Sequence, residues 1–156
     1  MILVICLLFV WFSILIFAFL PNKLSIITNV LLYMLLAVVD INKLTILSDT
    51  LEVFQLSRKV PEFLSMILHR DFTFSITLLT FANVYLTTWK RSTKAGITLY
   101  TFSYLFCTGQ FLRFNGALTY ERWNIFYECL LIISLMIITY WFGRLLIHLQ
   151  QKEKSL

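Results

Sequence analysis

One glutamate sits where an ionised side chain is expensive. Glu128 lies one turn into an apolar run that opens at Ile125, among Phe126, Tyr127 and Leu130. A charge at the centre of a bilayer costs ~2.5–3.5 kcal/mol on insertion scales, and less toward an end. Something should offset that cost. Arg113, at the other end of the same short loop, is the partner the sequence offers. Two kinds of chemistry follow. The pair could lock two helices together as a salt bridge or protonated carboxyl. Alternatively, the carboxylate could handle a proton or a cation.

Other polar residues in apolar surroundings extend the same question. Thr73, Thr77, Thr80 and Thr87 fall on one helical face, with Asn83 beside it. Downstream, Thr98, Thr101 and Thr108 form one face, and Ser103, Cys107 and Gln110 a neighbouring one. Asn29 belongs to the same group. Such side chains are expected to bond between helices, at ~0.6 kcal/mol each on average, or to wet a small cavity or solute path. The candidate intramembrane polar residues are therefore Glu128, Arg113, Asn83, Gln110 and Asn29.

No motif specifies catalysis. His69-Arg70-Asp71 spells the tripeptide of a kinase catalytic loop, but no glycine loop or DFG accompanies it. His148 has no partner at metal-binding spacing, and no HExxH occurs. Cys6, Cys107 and Cys129 all lie in apolar blocks without a CxxC pair, so they read as small core residues rather than a disulfide framework. The four glycines form no phosphate-cradling loop. Catalytic, cofactor and metal sites are accordingly not expected, and the chain reads as a non-enzyme ahead of a membrane enzyme with its site at the outer face around His69, Asp71 and Glu128.

The elements that must position these residues are membrane helices. Of the 156 residues 60% are hydrophobic and 13% charged, against about 25% charged in soluble domains. Mean hydropathy is +0.84. A soluble chain this short could not hide so much apolar side chain. The apolar residues come in continuous blocks, long enough for helices crossing ~30 Å of hydrocarbon and unlike the alternating segments of a barrel. The reading is an all-α integral membrane helical bundle, a single membrane domain with about five transmembrane helices. Spans are expected at about 2–20, 24–39, 72–89, 95–112 and 125–142, with a polar tail over 149–156. The first block opens without Lys or Arg and runs past a signal-peptide h-region, so it reads as a retained span.

Residues 44–70 differ. Asp49, Glu52, Arg58, Lys59, Glu62 and Arg70 interrupt apolar residues at helical spacing. Asp49 and Glu52 suggest a reciprocal helix cap, and Pro61 the first turn of a second helix. This segment is expected as two short amphipathic helices on the membrane surface or over the bundle end, with a re-entrant segment as the alternative.

With the N-terminus outside, seven Lys and Arg residues face the cytoplasm and six the exterior. Three of the inner ones crowd the turn Lys90–Lys94, while four of the outer ones are spread over a loop carrying five acids. The positive-inside rule then favours an external N-terminus and a cytoplasmic C-terminus in a multi-pass cell-membrane protein. Trp89, Trp123 and Trp141 sit at or near span ends, as interface anchors do. The net charge of +5 is carried at span ends. It suits orientation and headgroup contact, and nothing in the pattern calls for nucleic acid.

The stretch Asn115-Gly116-Ala117-Leu118-Thr119-Tyr120-Glu121-Arg122-Trp123-Asn124 before the last span, with Arg70-Asp71-Phe72-Thr73-Phe74 opening an earlier one, resembles a family of small, uncharacterised multi-span membrane proteins of spore-forming Gram-positive bacteria. That family commonly opens its last helix with Tyr-x-x-Trp and a middle helix with Phe-x-Phe. The resemblance implies a bacterial inner-membrane location and no particular activity. The expected function is that of a non-enzymatic bundle, with the lipid bilayer and either a second copy or a membrane-protein partner as its contacts. The alternative is a small transporter or channel subunit using Glu128 and the polar faces of spans three and four.

Overall fold

The computed structural model describes residues 1–47, 51, 53–120 and 124–154. They form helices α1 (Ile2–Phe19), α2 (Ile26–Thr45), α3 (Val60–Leu68), α4 (Ser75–Thr87), α5 (Arg91–Phe114) and α6 (Ile125–Lys154). A π-helical turn, His69–Phe74, joins α3 to α4 without a break. Residues 60–87 therefore make one rod, about 40 Å long at ~1.5 Å per residue. Two short strands, β1 (Phe54–Leu56) and β2 (Leu118–Tyr120), pair antiparallel with Phe54 opposite Tyr120.

Local chemistry sets the helix ends. Pro21 stops α1, and the Asn22 amide donates back to the Phe17 carbonyl (2.7 Å). Ser25 caps α2 by accepting from the Thr28 amide (3.1 Å). After α5, Gly116 takes a φ of 74°, a left-handed turn that suits glycine. The Asn124 side chain accepts from the Tyr127 amide (3.0 Å) and opens α6.

Helices α1, α2 and α6 are each long and apolar enough to cross a membrane. The rod is the centre of the bundle: α4 packs on α1, α2, α5 and α6. Helix α1 runs parallel to the rod, with Cys6 against Ser65 and the Leu24 amide donating to Asn83 Oδ1 (3.4 Å). One end of the bundle thus holds the N-terminus and the two strands. The other holds the α1–α2 and α4–α5 turns and the end of α6, where Gln150 meets Ser25.

Polarity is arranged inside out. Leu32, Leu36, Leu78, Leu105, Ile132 and Met136 fill the centre, and Thr73, Thr77, Thr80, Asn83 and Thr108 are buried among them. Of the eighteen residues of α1, Cys6 and Ser13 are the buried ones. Trp11, Phe12, Ile27, Met34, Val38, Leu99, Ile137 and Trp141 are exposed. Water would not tolerate so much uncovered aromatic and aliphatic surface, whereas acyl chains solvate it.

Several helix ends differ from the expected span ends. Helix α2 continues to Thr45, because Asp40 and Lys43 pair one turn apart and satisfy each other. Residues 60–70 are not a separate surface helix. Helix α3 buries Ser65 and Met66 against α1 and continues into α4, so the third helix begins about a dozen residues before the expected Phe72. Helix α5 starts inside the basic turn, at Arg91. The expected polar tail starts as helix, α6 running through Lys154, with Gln150 accepting from Ser25. Short strands were not anticipated; they join the two loops at the N-terminal end. Asp49, Glu52 and Trp123, read as a cap and an anchor, lie outside the described residues.

Candidate functional site

A cavity of about 110 Å³ lies between α2, the π turn, α5 and α6, toward the N-terminal end of the bundle. Its wall carries Asp40 and Lys43 from α2, His69 and Arg70 from the π turn, and Glu128 from α6; Phe74, Leu105 and Ile132 supply apolar wall. It has room for several waters.

Each charged group is placed by its element. Asp40 and Lys43, three residues apart on α2, point the same way. Asp40 is only 2% exposed. Its Oδ1 accepts from Lys43 Nζ, while Oδ2 has no hydrogen-bond partner among the described residues. The Lys43 ammonium also lies 4.2 Å from the centre of the Phe74 ring, a cation–π contact. Arg70 donates to both carboxylate oxygens of Asp71, at 2.6 and 3.1 Å. The Tyr33 hydroxyl donates to the Asp71 carbonyl (3.0 Å), fastening α2 to the π turn.

The π turn itself shapes the wall. π-Helical hydrogen bonding links residues five apart, and such turns recur at functional sites. Here it holds the His69 and Phe74 rings 6.4 Å apart. His69 Nε2 lies 2.9 Å from Thr108 Oγ1 on α5. The Thr108 hydroxyl also reaches the Tyr104 carbonyl (2.9 Å). Which of Nε2 and Oγ1 donates in the shared bond depends on the imidazole tautomer.

Glu128, 9% exposed, accepts from Gln110 Nε2. Gln110 Oε1 in turn accepts from Arg113 Nη1 (3.4 Å). Gly109 gives the carboxylate its room, since a Cβ there would stand 2.5 Å from Glu128 Oε1.

The structure thus brings three expected residues together, Glu128, Gln110 and Arg113, with Gln110 as the go-between. Asn29 and Asn83 also meet, with Asn83 Nδ2 donating to Asn29 Oδ1 (2.6 Å), but elsewhere. Asn83 is fourteen residues along the rod from His69, about 21 Å at ~1.5 Å per residue. The threonine stripes behave differently from the expectation. Thr77, Thr80, Thr87 and Thr98 donate to carbonyls four residues back on their own helices. They serve their own backbone rather than a neighbouring helix.

Asp40, Lys43 and Arg70 were not among the expected site residues, and His69 belonged only to the enzyme alternative. Asp40 and Lys43 read as the end of a span, and His69-Arg70-Asp71 as a chance motif. The overlooked signal was spacing. A carboxylate and an ammonium three apart can stay helical, and a His-Arg-Asp run directly precedes a buried threonine face.

The arrangement can move or hold protons. It offers two carboxylates, an imidazole, and space for water between them. Lys43 and Arg70 at the wall oppose a bare metal cation. Compared with protein-family models, curated proteins and solved structures, the chain shows no match to any of them.

Proposed function

We propose that this chain is a five-span membrane protein acting as a small proton-handling transporter or channel subunit, with the cavity as its working site. One observation carries the reading: among the described residues, Asp40 Oδ2 is buried without a hydrogen-bond partner at the wall of a polar cavity. A buried carboxylate oxygen left unsatisfied is costly, and a proton or protonated water satisfies it. Ionisable residues inside a membrane bundle mark proton and ion pathways as a rule. The cavity charges favour this reading over simple association with a second copy or a membrane partner, which would draw on the same apolar faces that lipid covers.

In this reading the rod and α5 complete the five spans begun by α1, α2 and α6, within a bacterial cell membrane. The end bearing Lys23, Lys90, Arg91, Lys94, Arg144 and Lys152 faces the cytoplasm, following the positive-inside rule. A green fluorescent reporter fused after Leu156 then folds and fluoresces inside the cell.

The decisive test is proton flux into liposomes holding the purified protein, driven by a potassium diffusion potential and followed with a trapped pH dye. Wild-type flux exceeds that of empty liposomes, and Asp40→Asn and Glu128→Gln each lower it at least about tenfold. Glu62→Gln, whose carboxylate pairs with Lys59 and Ser57 outside the cavity, leaves it unchanged. Flux at the empty-liposome level, or equal flux in all three variants, removes the proposal.

A further inference from the structure

A second feature, independent of the cavity, lies at the opposite end of the bundle. A groove of about 720 Å³ runs between α5 and α6 with α4 as its floor. Phe81, Leu99, Phe102, Ile137 and Tyr140 make it apolar, and Lys94 is the charged residue in its wall. The Lys94 ammonium folds over the Tyr85 ring, 5.0 Å from its centre. Lys90 and Arg91 stand one turn nearer the end of α5, both exposed. Arg144, also exposed, donates to the Tyr140 hydroxyl (3.3 Å) from the α6 side. Four cations therefore ring the mouth of an apolar slot.

The geometry points to a binding site for one anionic glycerophospholipid, its phosphate among Lys90, Arg91, Lys94 and Arg144 and an acyl chain in the groove. Charge complementarity fixes the headgroup. The four bases are clustered, and Asp40, Glu62, Asp71 and Glu128 all belong to the other half of the bundle, while Glu153 lies more than two turns beyond Arg144 near the end of α6. Depth fixes the chain. From Lys94 to Phe102 the groove follows α5 for eight residues, about 12 Å at ~1.5 Å per residue. One leaflet of a ~30 Å hydrocarbon core is about 15 Å deep, so the slot accepts a chain entering from the basic face and ends near the midplane. Basic pockets between helices on the cytoplasmic side bind anionic headgroups on the same grounds. A neighbouring groove of about 610 Å³ on the other flank of α5, beside Gly96, has no basic residue in its wall and serves as an internal control.

The test is native mass spectrometry of the full-length protein in mild detergent, titrated with dioleoyl phosphatidylglycerol or dioleoyl phosphatidylcholine. The glycerol lipid is expected to bind at least about tenfold more tightly, as one retained molecule. Each lost cation should weaken it about fivefold, so Lys90→Gln/Arg91→Gln/Lys94→Gln loses on the order of 100-fold. Lys23→Gln/Lys152→Gln, at the same end but away from the groove, changes little. Ala95→Trp fills the groove from an exposed position and loses at least about tenfold with every charge intact. Gly96→Leu, which opens onto free space, has no effect. Should Ala95→Trp fail to fold, the exposed Thr98→Trp takes its place. Equal affinity for the two lipids overturns the assignment, as does a Lys23/Lys152 loss matching the triple variant. Undiminished binding with the groove filled overturns it too.

Discussion

Gln110 donates to Glu128 from its amide nitrogen and accepts from Arg113 at its amide oxygen. A neutral side chain thus relays between the acid and the base that the sequence suggested as a pair. The relay places a fixed donor on a buried carboxylate while keeping the guanidinium toward the end of α5.

Replacing that relay tests it. Gln110→Leu removes this hydrogen bond from the Glu128 carboxylate, and a hydrogen bond to a charged group contributes ~1.5–3 kcal/mol. Gln110→Glu places two acids together and destabilises more at neutral pH. Adding Glu128→Gln restores most of that second loss, because an amide again faces an acid. Reversible unfolding in mixed detergent micelles measures all three. Additive effects in the double variant would show that the two side chains do not communicate.

Two glycines give contrasting outcomes. A Cβ at Gly109 meets the Glu128 carboxylate at 2.5 Å, whereas one at Gly143 meets Leu86 Cδ1 at the same distance. The leucine tip can swing away, but the carboxylate is held by Gln110. Gly109→Ala is therefore expected to cost ~1–3 kcal/mol, the usual range for overpacking, and Gly143→Ala distinctly less. The shorter acid in Gly109→Ala/Glu128→Asp recovers part of the loss. Unfolding in the same micelles reads each difference.

Lys43 and Asp40 form the most deeply placed ion pair on α2, with side chains 21% and 2% exposed. Lys43→Met strands a buried carboxylate and should cost about 3 kcal/mol, the low end of ~3–5 kcal/mol for breaking a buried pair. Asp40→Asn/Lys43→Met removes the stranded charge and regains most of that stability. Unfolding free energies of the two variants and wild type decide the matter. A double variant as unstable as Lys43→Met would assign the loss to packing against Phe74.

How much of this was legible in the residues can be argued from a few of them. Glu128 was visible because a carboxylate one turn into an apolar run has no cheap explanation. Asn29 and Asn83 were visible for the same reason. Their meeting, and the position of Gln110 between Glu128 and Arg113, depend on how helices turn about their axes, which spacing along one helix does not fix. Asp40 left the end of the second run open, because charge normally closes an apolar run whereas pairing with Lys43 lets α2 continue. Residues 60–70 misled. Arg58, Lys59, Glu62 and Arg70 gave them an interfacial pattern, but burial of Ser65 and Met66 on α1 is a tertiary contact that no local periodicity displays. The π turn, which carries His69 and Arg70 into the cavity wall, has no sequence signature of its own.

The threonines of the rod carry a mechanical consequence. Between the π turn and Asn83 their hydroxyls are spent on the backbone beneath them, while tethers to neighbouring helices come at His69, Asp71 and Asn83. The rod is thus registered against its neighbours at two levels rather than along its whole length, with apolar packing between them.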